Sequence, residues 1–148
     1  MIDEPKVPAG GGTPESRSSD KPTPAAKPVA KMPNSPEEWV SPIREAIEKR
    51  FPAAITDPVI FRDQPSVILL KEHVLEVARF LRDDPPIAFT FPTDVTAVDY
   101  PSRDKRFEVI YHLYSFVRNE RLRVKVLVGD GDSVPSLTGI WAGVDWME

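Results

Sequence analysis

The chain has 148 residues, 17 prolines, no cysteine and a formal net charge of −4, enough length for one domain with its own core. The lack of cysteine excludes disulfides, thiolate nucleophiles, iron–sulfur ligation and most structural zinc sites, and fits a reducing compartment. The acidic balance argues against nucleic acid or an anionic membrane surface as a partner, and no apolar run approaches the roughly 20 residues that span a bilayer.

The first 34 residues hold seven prolines and the triplet Gly10-Gly11-Gly12, and no aromatic residue. So little can be buried here that the ordering entropy is not offset, and residues 1–34 are predicted to be a disordered tail. No apolar h-region is present, and the early Asp3 and Glu4 argue against a transit peptide, so the protein is expected to be soluble and cytoplasmic. Five basic residues against four acidic ones in the tail leave residues 35–148 with the whole negative charge and one unit more.

Folded structure is predicted to begin at Ser35-Pro36-Glu37-Glu38, which has the form of a capping box. Pro42 interrupts it, which places the start of the main first helix there, with Ser41 as its cap. Ile43, Ala46 and Ile47 mark the inner face of that helix, Arg50 its edge, and Phe51-Pro52 its end. Two β-branched runs, Val59–Phe61 and Ser66–Leu70, flank the turn Arg62-Asp63-Gln64-Pro65 and read as a hairpin. A second helix follows, with Val74, Val77, Ala78 and Leu81 at helical spacing, and Asp83-Asp84-Pro85-Pro86 stops it.

Beyond Ile87 the pattern is extended, with a break at Pro92. In the run from Phe107, both alternating faces are largely apolar, which predicts a strand covered on both sides. The next strand alternates cleanly: Leu122, Val124, Val126 and Val128 point inward, and Arg121, Arg123 and Lys125 outward. Arg118-Asn119-Glu120 makes the turn between them. The predicted fold is α+β: two helices on a mainly antiparallel sheet of about four to five strands, with a loop-rich C-terminal segment. Asp145 reads as the N-cap of a helical turn through Trp146, Met147 and Glu148.

Chemistry-bearing patterns are sparse. His73 and His112, the two histidines, lack metal-ligand spacing, and no metal site is expected. A stand-alone enzyme would have to use His112 with Asp99, Tyr111 or Tyr114, and nothing in the sequence supplies its nucleophile. Gly129-Asp130-Gly131-Asp132-Ser133 falls well short of a calcium loop and reads as a turn. Arg121, Arg123 and Lys125 form a basic stripe, either a solvated face or a dock for an acidic protein neighbour. Trp141 and Trp146, on a segment too short for its own core, call for burial against this domain's sheet or against a partner.

Four collinear segments carry a resemblance: Asp94–Tyr100, Glu108–Ser115, Arg121–Val126 and Val134–Trp141. Together they resemble the 30-kDa subunit of respiratory complex I, NADH:quinone oxidoreductase, closely over residues 89–148 and more loosely over 36–88. The resemblance implies a structural subunit of the hydrophilic arm with no catalytic residues of its own. NAD, FMN, iron–sulfur clusters and quinone would belong to partner subunits. Its chief neighbour would be the large subunit that helps to form the quinone site, on the cytoplasmic side of a bacterial inner membrane, with no direct membrane span. A membrane-bound hydrogenase-type complex with a corresponding subunit is the alternative. In the family the final Trp-x-Glu pattern, here Trp146 and Glu148, runs on further, so a truncated C-terminus is expected. Arg121, Arg123, Trp141, Trp146 and Glu148 are the candidate subunit contacts.

Overall fold

The computed structural model describes residues 35–148. The expected disordered tail, residues 1–34, lies outside the described residues. The fold is α+β, with two α-helices on one six-stranded sheet, one or two strands more than expected.

The chain enters through β1 (Glu37–Glu38), a two-residue strand paired antiparallel with β2. The capping-box reading of Ser35–Glu38 gives way to this pairing because Trp39 is an anchor: its side chain is buried and its N–H donates to the Pro58 carbonyl at 2.9 Å. Helix α1 (Pro42–Arg50) then starts as predicted, with the Ser41 hydroxyl accepting from the Ile43 N–H and Pro42 at a position that has no helical donor to lose. Ile43 and Ile47 are its buried face.

Strand β2 (Ile55–Phe61) is longer than its apolar run, because Asp57-Pro58 is absorbed as a bulge rather than ending the strand. The hairpin to β3 (Gln64–Leu69) closes in two residues, not four. Arg62 and Asp63 both take positive φ, 51° and 59°, the handedness that matches the twist of the flanking strands. A 3₁₀ turn at Lys71–His73 leads into α2 (Val74–Asp83), where Val74, Val77, Ala78 and Leu81 are all buried, as the periodicity predicts.

The second half is a meander of β4 (Phe91–Asp99), β5 (Phe107–Ser115) and β6 (Glu120–Val128). The expected break at Pro92 is a register shift between Pro92 and Asp94 within a continuous edge strand, where proline's missing N–H removes no ladder bond. Asn119 takes the left-handed conformation expected of it. The sheet order is β1-β2-β3-β6-β5-β4, and every pairing is antiparallel except β3 with β6, where Ser66–Leu69 run alongside Arg123–Val126.

Both helices lie on one face. Ile43, Ile47, Val77 and Leu81 share a single core with Val67, Leu69, Leu113, Leu122, Val124 and Val126. The opposite face of the sheet has no helical layer among the described residues, which corrects the expectation that β5 is covered on both sides. Ile110, His112 and Tyr114 are half-buried there and Phe116 is exposed. No described helix is long and apolar enough to cross a membrane.

The C-terminal segment folds back beneath the sheet on the helical side. Leu137, Ile140, Trp141 and Val144 join the core, and an Arg82 guanidinium N–H donates to the Ile140 carbonyl. Its final turn starts earlier than predicted. A 3₁₀ turn occupies Ala142–Val144, so Asp145 follows a helical turn instead of capping one.

Candidate functional site

The register places side chains on the open face in rows. One row runs Ser66, Arg123, His112, Asp94 across β3, β6, β5 and β4; the next brings Arg121 beside Tyr114 and Phe91. A third places Ile68, Lys125, Ile110 and Thr96 side by side. The alternation that predicted an outward basic stripe therefore holds, but its members have different surroundings. Lys125 is tied down: its Nζ lies 2.9 Å from a carboxylate oxygen of Glu108. Glu108 is only 5% exposed and has Arg103 at 3.7 Å on its other side. A carboxylate this buried is tolerated because two cations flank it. Sequence reading missed Glu108. Its signal was a lone acid in an otherwise apolar strand, and the partner appears only once the β5–β6 register is known.

Arg123 donates through Nη2 to the Gln64 side-chain oxygen, while its Nε is enclosed without an acceptor. Arg121 is exposed beside it. Both line a cleft of about 280 Å³ together with Gln64, Thr93 and His112. Burial holds the His112 imidazole below its usual pKa, Arg123 lowers it further, and Asp94 opposes both.

The two tryptophans part company. Trp141 is 4% exposed and its indole N–H donates to the Phe89 carbonyl at 3.0 Å, so the pocket it fills is this domain's own. Trp146, five residues on, is 95% exposed. The Glu148 carboxylate accepts from the Ser136 hydroxyl at 2.6 Å and the Leu137 N–H at 2.8 Å, closing the C-terminal loop on itself. Burial, with Glu148 adding to it, pushes the Tyr111 phenol up to about 12. A second exposed aromatic group, unnoticed in the sequence, stands at one end of β4 and β5. Phe116 packs on Phe91 and Tyr114 at centroid distances of 5.7 and 4.9 Å, yet is 67% exposed.

The structure does not bring His112 together with Asp99 or Tyr111. Asp94, not Asp99, is opposite His112; Asp99 pairs in register with Phe107, about 16 Å further along β4 at about 3.3 Å per residue. Asp99 is held below the usual carboxylate range by a hydrogen bond from Arg106. Tyr111 points to the other face of the sheet, and the Tyr114 hydroxyl is engaged by Asn119. Gly129–Ser133 is a turn, with Gly131 at φ 77°, the Gly129 N–H donating to Asp132, and Asp132 paired with Lys71.

A mixed sheet backed by helices on one face and open on the other, with exposed aromatics on its surface, defines an α+β domain. Residues 67–148 match the family described as respiratory-chain NADH dehydrogenase, 30 Kd subunit, and the chain belongs to that family. It is 40% identical over 112 residues to an NADH-quinone oxidoreductase subunit of Azorhizobium caulinodans, covering 76% of this chain and 53% of the relative. With its counterpart from a Roseiflexus species it is 44% identical over 107 residues, covering 72% and 62%. The chain thus spans between about half and three-fifths of the length of these relatives. Its fold also matches a chain in the structure of an archaeal membrane-bound sulfane sulfur reductase, a respiratory membrane complex. There the TM-score is 0.60 at 18% identity, over 71% of this chain and 61% of that one.

Proposed function

We propose that this chain is a cofactor-free structural subunit in the hydrophilic arm of a proton-pumping NADH:quinone oxidoreductase. It positions the large quinone-site subunit while electrons pass from NADH through partner-held flavin and iron–sulfur clusters to quinone. It works at the cytoplasmic side of a bacterial inner membrane, peripherally, through protein contacts. The family match over residues 67–148 carries this reading. The surface supports it: Trp146, Phe116 and Val117 are each more than two-thirds exposed, and large apolar groups left out of a well-filled core suit a chain that buries them against another protein.

The test is affinity purification of the tagged chain from gently solubilised native membranes, followed by mass spectrometry. Recovery of flavin and iron–sulfur subunits with NADH:quinone activity is expected. Recovery of the bare chain alone would overturn the reading.

A further inference from the structure

The cleft between Arg121 and Arg123 on the open sheet face has properties that the fold does not need. Among the described residues Arg50, Arg62 and Arg79 form no salt bridge, Arg50 and Arg62 lying over phenylalanine rings instead, whereas Arg44, Arg82, Arg103, Arg106 and Arg118 each form one within the domain. Among the described residues neither Arg121 nor Arg123 does, although they lie two apart on one strand and face the same way. Asp94 shares the row of Arg123 but faces His112 across the β4–β5 pair. The Arg123 guanidinium is held in place through Gln64, yet its Nε–H is enclosed with nothing to accept it.

We propose that this cleft receives the carboxylate of an aspartate or glutamate side chain from a neighbouring protein subunit, an inference that rests on the assembly reading above. The planar fork of a guanidinium matches a carboxylate through two parallel hydrogen bonds, and Gln64 fixes the plane of one such fork in advance. Arg121, exposed at the rim, supplies the second cation and steers the approach. A cleft of about 280 Å³ has room for a single side-chain carboxylate and its methylenes. A nucleic acid or another polyanion is disfavoured because the folded domain is itself negative overall. Lys125, the third member of the stripe, is excluded from the site because Glu108 already neutralises it.

The experiment uses the full chain in native membranes. A benzoylphenylalanine photocrosslinker replaces Thr93, an exposed residue on the cleft wall, and the Arg121→Glu, Arg123→Glu and Arg123→Lys variants are purified in parallel. We expect crosslinks to one protein segment containing Asp or Glu. We also expect recovery of partner subunits to fall roughly tenfold on charge reversal at either arginine, with Arg123→Lys in between. Because Arg121 is exposed, Arg121→Glu keeps its fold and its thermal midpoint, and it carries the test if Arg123→Glu does not fold. Unchanged recovery with Arg121→Glu and Arg123→Glu would overturn the cleft and leave the assembly reading standing. So would crosslinks to lipid, to nucleic acid or to a segment without an acidic residue. A wild-type chain that recovers no partner and gives no crosslink would overturn both.

Discussion

Strand β6 shows two surfaces on alternate residues. Leu122, Val124, Val126 and Val128 are at most 5% exposed and meet the helices, whereas Arg121, Arg123, Lys125 and Leu127 remain at least partly open on the other side. On the helical face the neighbours are mostly apolar and belong to one continuous core, with the buried Ser115 hydroxyl satisfied by the Ile87 carbonyl. On the open face, polar groups are sheltered piecemeal, by Glu108 for Lys125 and by Gln64 for Arg123. Period-two geometry alone creates the division. The helical face holds the buried core, and the open face keeps its side chains at least partly exposed.

The largest expected effect tests the first half of that contrast. Trp141→Ala removes a buried indole and leaves the Phe89 carbonyl without its donor, and should cost about 3–5 kcal/mol in urea unfolding of the isolated chain. A loss no greater than that of a typical surface substitution would show that the C-terminal segment is not part of the core. Next is Glu108, a buried carboxylate on the open face. Glu108→Gln should cost about 1–3 kcal/mol, because Lys125 and Arg103 lose their shared anion. Combining it with Lys125→Met should restore part of that, measured as a double-mutant cycle.

A smaller effect depends on pH. The folded-state pKa of His112 is depressed, by burial first and then by Arg123, so the unfolded chain binds the proton more readily. Its contribution to stability is complete above pH 6.5 and declines as the pH falls through the folded pKa, below which it stays constant. Urea midpoints measured across this window should decline more in the wild type than in His112→Gln; parallel curves would show that another group dominates. The smallest expected change in stability is at Trp146. Trp146→Ala should shift unfolding by no more than about 0.5 kcal/mol, since the indole is 95% exposed, while lowering recovery of partner subunits from membranes. A clear loss of stability would place the indole on this domain's own surface packing.

These contrasts are partly legible in the sequence. The alternation in β6 and the spacing of Val74, Val77, Ala78 and Leu81 in α2 are local patterns, and both place the right residues inside. Strand β2 reads short because Thr56-Asp57-Pro58 has turn chemistry, and only pairing with β3 shows that the chain bulges and continues. Trp141 and Trp146 cannot be separated by pattern, because the intervening backbone is a 3₁₀ turn with no sustained periodicity to sort inward from outward. The basic stripe is visible as a pattern. Which of its cations is already neutralised depends on a diagonal contact from β6 to β5, which no local rule supplies.

The parallel joint between β3 and β6 also governs how the chain emerges from the ribosome. Ser66 pairs with Arg123, 57 positions later, so the middle of the sheet cannot close until β6 has been made. At about 5–20 residues per second, the β2–β3 hairpin would wait roughly 3 to 11 seconds with Val67 and Leu69 uncovered and one strand edge unpaired. Contacts this distant in sequence also slow folding of the finished chain. The nascent hairpin is therefore the segment most in need of chaperone cover, and the moment of greatest risk for aggregation falls before the second half of the sheet exists.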